Sequence, residues 1–328
     1  MFLGYLKRNV YVAFFVYFVV LFALWAARLF LYTDIPSDYS FQQMPLQAFL
    51  LDFLNLSEHN GQWLAIVFTY FNACMIWVLN VRHLFLKSNE HILPLSYIIL
   101  ASAIPESQFL FGAQAAVSLL LLGTHYLFTT YKQRSALGAL FMGAFCFSLA
   151  SLLFSSAAGL LLLLPIALLI VHTFAWRDWV VTLIAVLLPY SYVLLYYWLV
   201  GGDAFLFVEM IEEHFPFPPD KPAMPDVPHL IYLIVVGLLV IISLLVGFSR
   251  VAGAKVKVSH IYGIFEWMLL FLLAGTIFFP SDKYLTMPLL AVPVSVFVTT
   301  YFAMPKGKKV RTAFLIIFVA AILIVQLF

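Results

Sequence analysis

Charge is what this chain has least of: 15 Asp and Glu and 17 Lys and Arg amount to 10% of its 328 residues. No polar stretch is long enough to hold a soluble domain, so any chemistry must sit in helix ends and short loops. Cysteine is nearly absent. Cys74 and Cys146 both fall inside apolar runs, which excludes a disulfide framework and any cysteine-based metal spacing and leaves the redox compartment open. There is no Ser/His/Asp set, no glycine-rich phosphate loop, no zinc motif and no basic, aromatic-interleaved surface, so nucleic acid is not an expected partner. No internal repeat of the kind transporters carry is visible.

Apolar residues supply what charge does not, at 65% of the chain and a mean hydropathy of +1.05. A spanning helix needs about 20 mainly apolar residues to cross about 30 Å of hydrocarbon, and such runs recur from end to end. The expected fold is an all-α polytopic membrane protein, a single transmembrane domain over 1–328. Spans are placed near 10–32, 62–81, 92–104, 109–131, 136–154, 156–174, 179–200, 229–249, 261–279, 285–304 and 312–328, roughly eleven helices with ten to twelve as the range. The first run is long and ends in Arg28 and Tyr32, which reads as a retained anchor and not a cleaved leader. The third is too short for a full crossing. Together with 109–131 it suggests a broken or half-inserted hairpin, tolerated only where protein surrounds it.

Basic residues set the expected orientation. Lys7, Arg8, Arg82, Lys87, Lys132, Arg134, Arg177, Arg250, Lys255, Lys257, Lys306, Lys308, Lys309 and Arg311, fourteen of the seventeen, fall on one set of loops. Lys221 and Lys283 fall on the other, with Arg28 near it. The N-terminus is therefore expected in the cytoplasm, of a bacterial inner membrane. The acids reverse the pattern, with only Glu90 and Asp178 on the basic side. Acids contribute little to insertion, so their bias needs solubility or function as its reason.

Two external loops stand out. The first, 33–61, contains MPLQAFLLDFLNLS, which suits a helix lying in the interface. The second, 201–228, is acidic and then proline-rich, with six prolines from Pro216 to Pro228. Its first half suits a short amphipathic helix. Its second half can be neither helix nor central strand, and is expected to act as a lid or as a strip that docks an envelope partner.

Several constellations could carry chemistry, each with a structural counterpart. Asp34 and Asp38 follow the first span, where a carboxylate can take a proton from an acceptor hydroxyl or simply be solvated. Arg28 and Lys283, the latter beside Tyr284, suit a lipid phosphate or serve as interface anchors. Glu106 sits at the tip of the broken hairpin, as a ligand group or as a turn marker. Glu209, Glu212, Glu213 and His214 could hold a divalent cation or form a solvated helix face. Glu266 is the one acid well inside a span, a candidate for proton movement or for a bond within the bundle. His125 and His172 are most simply interface residues, and KGKKVR at 306–311 a topology signal and lipid-headgroup contact.

The segment SALGALFMGAFCFSLASLLFSSAAGLLLLLPIALLIVHTFAWRDWVV resembles the paired-helix region of GT-C type membrane glycosyltransferases. DKYLTMPLLAVPVSVFVTTYF is similar to their late helix with its basic residue, tyrosine and prolines. The first span followed by an acidic external loop with interfacial helices resembles that fold as well. The overall texture is also similar to polytopic inner-membrane families of Bacteroidota. The GT-C likeness implies transfer of a sugar from a polyprenyl-phosphate donor at the external face, with Asp34 or Asp38 as base and Arg28 or Lys283 facing lipid phosphate. This chain lacks the adjacent acidic pair often seen in that loop, since IPS separates Asp34 from Asp38. A non-catalytic subunit of an envelope or secretion complex is the second reading and a transporter the third.

The orientation has a direct test. In a background with Cys74 and Cys146 replaced, Asp220→Cys is expected to react with a membrane-impermeant maleimide in intact cells, and Arg134→Cys only after permeabilisation. The reverse pattern would invert the topology.

Overall fold

A computed structural model describes residues 10–31, 44–54, 58–86, 91–108, 111–131, 133, 136–171, 175–201, 226–251, 255–278, 285–303 and 308–327. In chain order the helices are α1 (Val10–Leu31), α2 (Pro45–Leu54), α3 (Glu58–His83), α4 (Ile92–Ala101), α5 (Phe111–Thr129), α6 (Leu137–Leu153), α7 (Leu163–Val171), α8 (Trp176–Gly201), α9 (Val227–Val251), α10 (Val256–Phe278), α11 (Met287–Phe302) and α12 (Lys308–Leu327). Two 3₁₀ segments, Pro105–Gln108 and Ser155–Leu162, join α4 to α5 and α6 to α7. No strand occurs among the described residues. Among the described residues, five stretches are long and apolar enough to cross a membrane: Gly61–His83, Phe111–Thr129, Trp176–Val200, Val227–Leu245 and Val256–Thr276. Six shorter apolar stretches accompany them, and the chain as a whole is a membrane protein by this composition.

The bundle is apolar outside as well as inside, unlike a water-soluble one. Large apolar side chains face outward along α8 and α9, among them Leu183, Leu187, Trp198, Ile234 and Ile241. Small and hydroxyl residues are drawn inward, as expected when lipid is the solvent and helices associate through close packing. The central post is α11, buried without interruption from Pro288 to Tyr301. It packs against α4, α5, α9 and α10, while α5 leads outward through α6 to α8. α5 and α6 pack tightly, with Gly123 facing Gly143 and the ring of Phe147.

Contacts between distant helices sort their ends into two sets. At one end the Tyr131 and His260 rings lie 5.4 Å apart and His83 meets His125 at 3.0 Å. At the other, Trp25 bonds Ser102, Ser156 bonds Thr286 and Glu106 meets His229. Successive long helices therefore run antiparallel, with α6 and α8 parallel, because Ser148 reaches the Val186 carbonyl and Ser151 the Tyr190 hydroxyl. Arg82, Lys255 and Lys257 stand at the first end, and α8 and α12 start there with Arg177 and with Lys308, Lys309 and Arg311. Glu106 and Asp226 stand at the second. These are the basic and acidic ends below.

The short helix α2 packs on α6 and inserts buried Gln47 against Gly112 of α5. Its Phe49 and Phe53 are exposed, and Phe49 lies edge-on to Tyr196 of α8. This helix falls within the 33–61 loop, of which 44–54 and 58–61 are described.

A Cβ on Gly123 would stand 2.7 Å from the Phe147 ring and 3.0 Å from the Gly143 carbonyl. Gly123→Ala is expected to destabilise by about 1–3 kcal/mol through overpacking. Gly138→Ala, where nothing lies within 4 Å, should be neutral or mildly stabilising. Unfolding of detergent-purified variants checks the pair, and equal midpoints would contradict the α5–α6 contact.

Candidate functional site

The irregular chain between α4 and α5 organises the acidic end. Ten residues of α4 rise only about 15 Å, half a hydrocarbon core, and the chain then leaves helical geometry while still inside the protein. Ser102, Ala103, Ile104, Ser107 and Gln108 are all buried. Backbone groups at such depth require internal partners. Ser107 Oγ donates to the Ile104 carbonyl at 2.7 Å, and the Gln108 amide donates to the Ser102 carbonyl at 2.8 Å. That carbonyl accepts a second bond from the Gln326 amide of α12 at 3.1 Å, while the Trp25 indole of α1 donates to Ser102 Oγ at 2.9 Å. The broken hairpin expected from 92–131 takes this form, a short helix and a clamped 3₁₀ turn.

Below the turn, Tyr97 donates to Gln114 Oε1, Asn72 to the Gln114 carbonyl, and Ser118 to Asn72 Oδ1. Gln108 Oε1 and Gln114 Nε2 remain buried without a hydrogen-bond partner among the described residues. A polar seam thus runs from the turn toward the middle of α3 and α5.

Glu106 projects from the 3₁₀ turn and receives a hydrogen bond from His229 Nε2 at 3.2 Å. Their side chains are 21% and 11% exposed, so the pair sits at the rim, neither solvated nor sealed. A carboxylate beside an imidazole can hold or pass a proton and can orient a hydroxyl. His229 was not singled out from the sequence, because it lies in an unmarked stretch, 123 residues from Glu106. One turn further along α9, fully buried Tyr232 begins an apolar groove of about 280 Å³ that continues past Leu100, Val236 and Gly237 to Leu244.

The remaining candidates divide plainly. Asp34, Asp38, Lys283, Tyr284, Glu209, Glu212, Glu213 and His214 lie outside the described residues, as does His172. Arg28 is on the last turns of α1, at the acidic end, with its backbone alone described. Asp34 and Asp38 follow that helix, and Lys283 and Tyr284 precede α11, whose Thr286 bonds Ser156 at 2.9 Å. Glu266 is a half-buried residue near the middle of α10, and no hydrogen bond or ion pair joins it to another described residue. No cluster of three or more His, Cys, Asp or Glu that could hold a metal occurs among the described residues.

At the basic end, His125 is more than an interface residue. Its Nδ1 lies 3.0 Å from His83 Nε2, and the Phe128 ring packs edge-on to His83. The i, i+3 spacing of His125 and Phe128 was visible, but the partner helix was not. Compared with models of protein families, with curated proteins and with solved structures, the chain matches none.

The clamp predicts a specific energetic coupling. Trp25→Phe should cost about 1 kcal/mol by removing a buried donor. Ser102→Ala added to it should cost much less than Ser102→Ala alone. A double-mutant cycle on unfolding reads this, and strictly additive losses would remove the bond as a stabilising contact.

Proposed function

We propose that this chain is a multi-pass protein of the bacterial cytoplasmic membrane, crossing it about eleven times with the N-terminus inside, and that its acidic, external end acts on a lipid-linked substrate. In its most specific form the reading is a GT-C-like transfer of sugar from a polyprenyl-phosphate donor. The observation that carries it is the apolar groove along α9, whose first lining residue on that helix, Tyr232, lies one helical turn from His229, the partner of Glu106. A groove walled by aliphatic side chains suits a hydrocarbon tail, and the Glu106–His229 pair one turn along α9 offers polar groups for a head that must emerge at the surface.

In this scheme the prenyl tail lies between α4, α9 and α11. Arg28 and Lys283 face the phosphate, Arg28 as a fork and Lys283 as a point charge. Asp34 or Asp38 takes the proton from the acceptor hydroxyl as its oxygen bonds the anomeric carbon. The bond from that carbon to the phosphate oxygen breaks, and polyprenyl phosphate leaves with the electron pair. Glu106 and His229 orient the acceptor side of the site.

Two measurements test the scheme in proteoliposomes with a labelled polyprenyl-phosphate sugar. Asp34→Ala or Asp38→Ala is expected to lower turnover by about 10²–10⁴, the usual worth of a general base. Unchanged turnover in both removes that assignment. Gly237→Leu, at a groove position where a Cβ meets nothing within 4 Å, should raise KM for the long-chain donor and leave a short-chain donor unaffected. An equal effect on both donors would separate the groove from the lipid tail. If neither donor turns over in wild type, the subunit reading takes precedence, and deletion of 216–228 should then release a co-purifying envelope protein.

A further inference from the structure

A second apolar groove, of about 490 Å³, opens at the other end of the molecule, between α4, α11 and α12. Its walls are Leu95 and Ile99 of α4, Val298 and Phe302 of α11, and Leu315 and Val319 of α12. The hydroxyl on its floor is already committed: Ser96 Oγ donates within α4 to the Ile92 carbonyl and lies 2.9 Å from Thr299 Oγ1. A polar ligand would find little to bond along this wall, whereas a hydrocarbon chain loses nothing there.

The mouth has a different chemistry. Thr312 and Leu315 line the groove from α12, and the turn that precedes them carries Lys308, Lys309 and Arg311. Lys306 lies two positions before the helix. Phe302, at the end of α11, and Ile92, at the start of α4, mark the same depth. Three basic positions on the first turn of α12 thus directly precede the residues with which that helix walls an apolar slot about as large as sites that bury a small molecule. No acid lies in 303–327 to offset them.

We infer that this groove is a binding site for one acidic phospholipid of the leaflet at the basic end, with an acyl chain between α4 and α12 and its phosphate at Lys308, Lys309 and Arg311. The commitment to an acidic lipid follows from charge complementarity. A zwitterionic lipid would satisfy the slot but leave the cations uncompensated, since each basic residue near a surface favours anionic headgroups. The site is separate from the groove along α9, which lies toward the acidic end. It therefore stands or falls independently of the transfer reaction. Its structural consequence is to tie α12 to α4, and so to steady the Gln326 contact to the Ser102 carbonyl at the far end of α12.

The full chain, reconstituted in nanodiscs with equal phosphatidylglycerol and phosphatidylethanolamine and then extracted in mild detergent, tests this by mass spectrometry of the retained lipid. Wild type should keep phosphatidylglycerol in excess. The Lys308→Gln, Lys309→Gln and Arg311→Gln changes should each lower that excess by about fivefold while total lipid holds. Val319→Trp, which fills the slot, should abolish retention of both. Should Val319→Trp fail to fold, phosphatidylglycerol with a photoreactive acyl chain settles the matter in wild type, with labelled peptides expected in 92–99 and 312–319. Retention of the two lipids in the supplied ratio, or labelling confined to the outer face of α8, would overturn the site. So would a partner helix found in the groove with no lipid.

Discussion

In a hydrocarbon solvent every backbone N–H and C=O must find its partner inside the protein, and the turn after α4 is where that demand bears hardest on this chain. The Ser102 carbonyl accepts bonds from Gln108 and Gln326, its side chain accepts one from Trp25, and Ser107 returns a hydroxyl to Ile104. Each of these replaces a partner that water would supply elsewhere, at a cost of several kcal/mol were it missing. The three elements involved are α1, the α4–α5 hairpin and α12, and the longest of these contacts bridges 224 residues. Placing the turn thus places the first and last described helices against it. Glu106, held on the 3₁₀ turn, is carried to the rim by the same constraint.

The uninterrupted burial of α11 follows from the short reach of α4. A helix of ten residues cannot fill its share of the core, so a neighbour must pass alongside with no face left for lipid. Pro288 opens α11 where a missing N–H costs nothing, and Pro293 lies within it. Ser96–Thr299 and Tyr262–Thr300 then fasten α11 to α4 and α10. Outside this centre a few hydrogen bonds, such as Ser148 to the Val186 carbonyl and Asn72 to the Gln114 carbonyl, supplement close packing, and α8 turns most of its surface outward.

The helices were legible in the sequence because lipid makes hydropathy a nearly complete description of a span. Each of the eleven expected runs contains a helix among the described residues, with shifts at the ends such as α3 beginning at Glu58 and not near 62, and with the first half of 156–174 taken by the 3₁₀ segment Ser155–Leu162. The weakness of 92–104 was legible too, since ten apolar residues are visibly too few. What was not legible was anything that depends on which helix lies next to which. His229 as the partner of Glu106 and His83 as the partner of His125 belong to separate helices. The clamp on Ser102 is beyond hydropathy for the same reason, because Trp25 and Gln326 read in sequence as an interfacial aromatic and a lone polar residue near a helix end. Glu266 is the converse case: conspicuous in sequence as an acid inside a span, yet joined to no other described residue.

The charge asymmetry gains a physical sense from the two grooves. Both slots are apolar along their length, and charged positions lie nearby in sequence, the basic first turn of α12 before Thr312 and the Glu106–His229 pair one turn from Tyr232. A slot of aliphatic walls cannot distinguish one tail from another by more than its length. Selectivity must then come from the mouth, where a headgroup leaves the hydrocarbon and meets fixed charge. On the proposed lipid site, the basic positions of the first turn of α12 favour an anion held in place. A carboxylate hydrogen-bonded to an imidazole has no net preference of that strength, but it can change protonation as a group bound beside it reacts. On the proposed readings the basic end retains a lipid and the acidic end exchanges one, and α11, buried from Pro288 to Tyr301, lines both grooves.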